Sequence, residues 1–393
     1  MSELPAILGG TPIFQEKINI VRPILPSLES MDADIESILQ TGMVTKGRYL
    51  QAFEQALSEH LGVRHAVAVS SCTTGLMLVY RGLGLTGEVI VPSFTFMATV
   101  SALVWDGLTP VFTDVDPETT NLDPKAAEAA ITPRTSAIVG VHNFGNPADI
   151  HELEALARRY NLKLIFDAAH GFGALYQGQP VGSRGDAQVF SLSPTKLLIA
   201  GEGGIVATND DALAKYVRLG REYGNNGNYD SLFAGINARM PEFNALMGLR
   251  SLDLLEQAAQ NRNETAALFQ EGLGSLPGID FQLVRTGNRN SYKDFSITIN
   301  ADSFGMHRDQ LSEALEAENV DTRKYYYPPV HRQIAYRDYY QNRPLPNTNM
   351  LADNSLSLPI WSRMEESTAL GICESIQRIQ CHAQAIRSRI AQV

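Results

Sequence analysis

A single lysine carries the first chemical signal of this sequence. Lys196 follows Phe190, Ser191, Leu192, Ser193, Pro194 and Thr195, and Gly201, Glu202, Gly203 and Gly204 come soon after it. An amine flanked by hydroxyls and by a glycine-rich turn can condense with a carbonyl compound to form an imine. Upstream, Asp167 closes the apolar run 162–166 and opens Asp167-Ala168-Ala169-His170. A strand of an open α/β sheet would deliver a carboxylate to the sheet edge at that point. An imine-forming lysine and a strand-end aspartate are the parts a protein supplies to pyridoxal 5′-phosphate (PLP), one for the Schiff base and one for the pyridinium nitrogen.

A phosphate would need donors, and Ser70, Ser71, Cys72, Thr73, Thr74 and Gly75 can supply them. Small hydroxyl residues that end a strand and open a helix present unpaired N–H groups and the positive end of the helix dipole. The same residues also serve as plain N-caps. Ser191 lies five residues before Lys196 and can add a hydroxyl. Phe96, in the stretch 92–99 after another strand, can stack on a pyridine ring or fill core.

Composition bounds the rest. A chain of 393 residues with 44% hydrophobic content is expected to form two domains. A net charge of −11 argues against a nucleic-acid-coating surface. Cys72, Cys373 and Cys381 have no metal-ligand spacing and are odd in number, so neither a metal site nor a disulfide framework is expected. No stretch approaches the roughly 18 apolar residues of a membrane span, and no leader pattern opens the chain. A cytoplasmic protein is the expectation.

Apolar runs alternate with helical patterns, which reads as an α/β fold with a mostly parallel sheet. Strands are expected at 66–69, 88–91, 110–114, 137–141, 162–166, 187–191 and 204–208, with a helix at 149–160. Phe243, Leu246, Met247, Leu249, Leu252 and Leu255 trace one face of a long helix over 241–267. Beyond it, strands at 296–299 and 355–358 and helices at 308–318 and 365–390 suggest a smaller α+β domain. The division expected is 1–255, with an N-terminal arm over 1–30, and 256–393.

In order and spacing these segments resemble the DegT/DnrJ/EryC1/StrS family, the PLP-dependent sugar aminotransferases of fold type I. The resemblance runs through 41–47, 71–73, 92–99, 111–116, 141–145 and 167–170. It continues through 191–196 with 201–204, then 235–240, 327–331 and 358–359. It implies a seven-stranded sheet in the larger domain. It implies that Lys196 forms the imine and moves the proton, that Asp167 pairs with the pyridine nitrogen, that His170 sits near the 3-hydroxyl, and that Phe96 stacks on the ring.

Cys72, Thr73, Thr74 and Ser191 would surround the phosphate, and Asn237 would reach it from the neighbouring subunit of a homodimer. Lys46, Arg239, Tyr327 and His331 would face or support the sugar. Cys72 stands where many relatives have glycine, and Gly-Ile-Asn-Ala-Arg over 235–239 lacks two aromatic residues common in the family. The activity implied is amino transfer from an amino acid, L-glutamate by analogy, to a nucleotide-linked 3-keto or 4-keto deoxysugar. A keto-cyclitol acceptor, a PLP-dependent sugar dehydratase and a non-catalytic regulatory relative are the other readings. Dehydratases of this kind replace the lysine with histidine, so Lys196 argues against them.

Overall fold

The computed structural model describes residues 4–391. Its main sheet has seven strands: β1 (His65–Val69), β2 (Glu88–Pro92), β3 (Thr109–Thr113), β4 (Thr135–Val141), β5 (Lys163–Asp167), β8 (Ala187–Ser191) and β9 (Gly204–Thr208). A small hairpin, β6 (Leu175–Tyr176) and β7 (Gln179–Pro180), lies between β5 and β8 in the chain. The spatial order is β1-β9-β8-β5-β4-β2-β3, and β9 alone runs against the rest.

The strands are mostly apolar because both faces are covered. Ala66 and Ala68 turn to one core and Val67 and Val69 to the other; Phe166 and Ile165, then Ile90 and Val91, divide the same way. On the first face lie Phe53 and Leu57 from Arg48–Leu61, Leu153 and Leu156 from Ile150–Tyr160, and Leu246 from Glu242–Leu252. On the second lie Leu76 and Val79 from Cys72–Gly82, Leu103 from Ala98–Trp105 and Val217 from Asp211–Gly220.

Parallel strands place all their carboxyl ends on one edge, where an open α/β sheet builds its site. Val69, Pro92, Val141, Asp167 and Ser191 end their strands there. β9 starts at the same edge, with Gly204 opposite both Ser191 and Val69. A Cβ on Gly204 would lie 2.5 Å from the Ser71 carbonyl carbon and 2.6 Å from the Cys72 nitrogen. Only glycine lets the helix start come this close to the sheet.

A second core surrounds the antiparallel sheet β10 (Ile279–Phe281), β11 (Phe295–Ile299) and β12 (Ser355–Leu358). Ile7, Leu8, Phe14 and Ile18 pack on this core, so the N-terminal arm sits with the C-terminal part of the chain. Glu318, fully buried, accepts N–H groups of Ala6 (2.8 Å) and Ile13 (3.0 Å) and pairs with Arg378.

Two long helices expected from the sequence are each divided. In place of one helix over 241–267 the chain forms Glu242–Leu252 and Leu255–Leu273, separated by a turn at Asp253 and Leu254 where the Leu254 N–H bonds the Ser251 carbonyl (3.1 Å). Residues 365–390 form Glu366–Cys381 and Ala383–Ile390, with His382 turned back onto the Arg378 carbonyl (3.0 Å). Along Leu255–Leu273, Leu255 and Ala259 join the first core while Ala266, Phe269 and Leu273 join the second. Among the described residues, no helix is long and apolar enough to cross a membrane.

Candidate active site

Asp167 ends β5 with its side chain buried. One carboxylate oxygen accepts the Thr99 hydroxyl (2.7 Å) and the other accepts the Ala169 N–H (3.1 Å). The Cys72 thiol approaches the latter oxygen at 3.9 Å and the Val189 carbonyl at 3.5 Å. Burial pushes the Asp167 carboxyl above its ordinary value, while Thr99, Ala169 and the charge of Lys196 pull it back. Burial beside Asp167 also raises the Cys72 thiol well above its usual range, which leaves it an unreactive packing group.

The helix Cys72–Gly82 begins with a capping box. The Ser71 hydroxyl accepts the Thr74 N–H and the Thr74 hydroxyl accepts the Ser71 N–H, both at 3.1 Å. Thr74 also donates its hydroxyl to the Ser71 carbonyl (2.9 Å), so it is engaged inside the turn. The backbone N–H groups of Cys72 and Thr73 and the Thr73 hydroxyl bond to no described residue. These are free donors at the positive end of a helix, beside Ser191 across Gly204.

Lys196 sits in the loop after β8, its N–H on the Ser193 carbonyl (3.0 Å) and the loop closed by Ala200 N–H to Leu192 O (2.9 Å). Its amine has no carboxylate within ion-pair distance among the described residues. Its proton affinity is lowered to about 8, first by burial and then by the charge of Lys293, against the pull of Asp294, Cys72 and Asp167. His170 is held neutral by burial and by the charges of Lys196 and Lys293, and its buried Nδ1 has no hydrogen-bond partner. His142, beside it at the end of β4, uses both ring nitrogens elsewhere. Nδ1 accepts the Ala148 N–H (3.0 Å), so Nε2 donates to Gln188 (3.1 Å), and the ring stacks on Phe166. It is a packing residue.

Phe96 and Tyr327 are half exposed, at 51% and 55%, and line a cavity of about 410 Å³ with Thr95, Arg323, Tyr325 and Tyr326. The Arg308 guanidinium lies 5.1 Å from the Tyr327 ring centre. Lys46 and Arg239 converge on one carboxylate, Glu222, at 2.6 and 3.4 Å. Lys46 and Tyr223 both hold positive φ there (57° and 63°), a sparsely populated conformation for such residues. Asn237 is exposed and bridges to Glu222, and its neighbour Ala238 accepts the Ser70 N–H (2.8 Å). Among the described residues His331 shares no hydrogen bond or ring contact with Lys196, Asp167 or His170. It is buried against Phe112 and Tyr340, with Nδ1 on the Ser93 hydroxyl (2.7 Å), so in this chain it anchors a loop to the end of β2.

The residues thus form three neighbourhoods: Lys196, Asp167, His170, Cys72, Thr73, Thr74 and Ser191 along the strand edge; Phe96 and Tyr327 at the cavity; and Lys46, Arg239 and Asn237 around Glu222. The first fits PLP by its chemistry. It holds a buried carboxylate for a ring nitrogen, an unpartnered buried imidazole nitrogen for a ring hydroxyl, free N–H groups for a phosphate, and an amine of lowered proton affinity. Thr99, Glu222, Lys293 and Asp294 belong to these surroundings and were not singled out from the sequence. Only Thr99 carried a signal, lying at the end of the stretch 92–99.

The DegT/DnrJ/EryC1/StrS aminotransferase family model matches residues 28–377. DesI, solved in the presence of its TDP-sugar product, is 38% identical, with a TM-score of 0.91 over 98% of both chains. DesV of S. venezuelae is 33% identical (TM-score 0.86; 93% of this chain, 99% of that one). An aminotransferase of the same family from Brucella abortus is 32% identical (TM-score 0.84; 90% and 95%). With its sheet, its strand-edge lysine and buried aspartate, and a match over nearly its whole length, the chain belongs to the DegT/DnrJ/EryC1/StrS family of PLP-dependent sugar aminotransferases.

Proposed function

We propose that this enzyme moves an amino group from L-glutamate to a nucleotide-linked 3-keto or 4-keto deoxysugar in the cytoplasm, as a homodimer whose active sites lie at the subunit interface. The observation that carries the reading is the half-buried Lys196, without a carboxylate at ion-pair distance among the described residues, on the strand edge where Asp167 ends β5 and His170 follows it. The TDP-sugar product of DesI, a protein 38% identical over 98% of this chain, supports the nucleotide-linked acceptor.

When bound, PLP supplies an aldehyde that carries the amino group and a protonated pyridine ring that draws charge from the adjacent C–H bond. Asp167, held in place by Thr99 and Ala169, would keep its negative charge against that ring nitrogen. His170 would turn Nδ1 to the ring hydroxyl and Phe96 would cover the ring. Cys72, Thr73 and Ser191, with Asn237 of the second subunit, would hold the phosphate. Lys196 would anchor the cofactor and then, as a neutral amine, take a proton from the substrate carbon and return it one position away. Lys46, Arg239 and Tyr327 would meet the sugar nucleotide. We keep the division into 1–255 and 256–393, which the change of core along Leu255–Leu273 supports, with the arm packed on the second part.

The test is a half-reaction. PLP-loaded wild type mixed with L-glutamate should release 2-oxoglutarate, and Lys196→Ala should not while keeping its fold. The aminated protein should then add one amino group to a TDP-linked keto-deoxysugar, read by mass. Unchanged 2-oxoglutarate release in Lys196→Ala, or none in wild type, would sink the reading.

A further inference from the structure

The antiparallel sheet β10-β11-β12 turns one face away from its own core. Ile279, Ile297, Ile299 and Leu356 point into that core. The residues that alternate with them, Asp280, Ser296, Thr298, Ser355 and Ser357, are polar and share the other face. Strand register sets Asp280, Thr298 and Ser355 side by side in one row across all three strands. The row spans about 10 Å, two strand spacings. It forms one wall of a cavity of about 730 Å³, whose opposite wall is the segment after β3 with Glu118.

The two walls are tied together. Gln282, just past β10, gives its side-chain amide to the Thr119 carbonyl (2.8 Å) and the Thr120 hydroxyl (2.7 Å), and the Leu283 N–H is bound to the Glu118 carbonyl (2.8 Å). The cavity is therefore built into the fold, as small-molecule sites usually are. The Ser296 and Ser357 hydroxyls satisfy each other at 2.6 Å. The Thr298 and Ser355 hydroxyls and the carboxylates of Glu118 and Asp280 bond to no described residue. Ser355 is the telling one. It is 2% exposed, and because Leu356 beside it fills the core, its hydroxyl is aimed into the cavity without a partner. A buried hydroxyl left unpaired costs stability, and a ligand would supply the missing bond.

We propose that this cavity is a second small-molecule site, for an amino sugar: a polyhydroxylated ring that carries a protonated amine. Among the described residues no lysine or arginine lines it, so a diphosphate would meet two carboxylates and no cation there. The unpaired carboxylates of Glu118 and Asp280 suit an ammonium, the Thr298 and Ser355 hydroxyls suit ring hydroxyls, and the rings of Phe144 and Tyr292 offer an apolar surface to a sugar face. Binding there involves neither Lys196 nor Asp167. Phe144 stacks on Tyr326 with ring centres 5.5 Å apart and planes 15° from parallel, and Tyr326 lines the cavity of Phe96 and Tyr327. One aromatic layer thus separates the amino-sugar site from that cavity.

The experiment uses the PLP-loaded full-length chain, reduced with borohydride so that no aldehyde or imine remains to take the probe's amine. The probe is the methyl glycoside of glucosamine, titrated by ligand-observed NMR at a pH that keeps its amine protonated. Wild type should bind it with a Kd of about 1 mM, the scale of a ligand this small. The N-acetylated glycoside, which has no charge, should bind about tenfold more weakly. Asp280 is exposed, so Asp280→Asn removes the charge with the fold kept, and it should weaken the probe about tenfold. Ser355→Ala should weaken it about threefold. Saturating TDP should leave the Kd unchanged. No binding by wild type at about 10 mM, equal affinity for the N-acetylated glycoside, or an unchanged Kd in Asp280→Asn or Ser355→Ala overturns the proposal. Displacement by TDP also overturns it, by placing the probe where the nucleotide binds.

Discussion

The Thr99 hydroxyl donates a 2.7 Å hydrogen bond to Asp167 from the first turn of the helix Ala98–Trp105, and it also meets the Thr95 hydroxyl at 2.9 Å. Asp167 is buried, and burial favours its neutral form; each donor aimed at it restores the charge. A carboxylate that must face a protonated ring nitrogen needs that restoration.

Thr99→Val removes the donor and keeps the shape. The Asp167 carboxyl should then hold a proton more readily and pair less well with the ring. A hydrogen bond to a charged group contributes about 1.5–3 kcal/mol, so PLP should bind at least about tenfold more weakly by fluorescence titration, and Thr99→Ser should recover most of it. Equal affinity in Thr99→Val and wild type would show that Asp167 keeps its charge without the Thr99 hydroxyl.

His142 gives the enzyme a pH-dependent stability. Burial lowers its folded-state pKa to about 4, against about 6.5 in an unfolded chain. Between those values the unfolded chain binds the extra proton, so stability rises with pH through this window. The contribution is fully present above about pH 6.5 and is lost as pH falls toward 4. The amount is on the order of 3 kcal/mol. Urea unfolding of His142→Gln should show a shallower slope over this range than wild type, and an unchanged slope would assign the acid sensitivity to other groups.

What could be read from residue order depended on how local the cause was. All seven main strands were legible because burial on both faces makes them plain apolar runs, and Asp167 and Lys196 were legible because the chain punctuates them with a strand end and glycines. The break after Leu252 was not, because the apolar period continues unbroken across the turn at Asp253 and Leu254. Thr74 reads as a phosphate ligand by position, yet its hydroxyl serves the capping box. Lys293 and Asp294, adjacent opposite charges before a strand, look like a solvated surface until the fold buries them.

Lys46 and Arg239 share the carboxylate of Glu222, with the lysine half exposed and the carboxylate largely covered, and in the proposed function these two cations meet the anionic substrate. Lys46→Ala or Arg239→Ala should raise KM for the sugar nucleotide by about tenfold, the scale of one charge-assisted contact. The glutamate half-reaction should be unchanged. Glu222→Gln should act with the opposite sign and lower that KM. If the three variants change only thermal stability, the cluster is a structural clasp.

In the proposed arrangement, Asn237 decides whether one chain builds its own phosphate site. It is exposed, and its segment is tied to Ser70 of the same chain through Ala238, so proximity within the chain does not separate the two arrangements. Mixing does. Lys196→Ala alone should be inactive, and Asn237→Ala should be weakened in PLP retention and turnover. If Asn237 serves the partner, a hybrid dimer joins the intact Lys196 of the second variant to the intact Asn237 of the first, restoring one whole site. Random reassembly in a two-fold dimer then returns about a quarter of wild-type sites. If Asn237 acts on its own chain, each hybrid keeps one defect in each site and the activity of the mixture stays at the mean of the two variants. A PLP titration of the mixture, read beside its turnover, separates a restored site from a faster damaged one.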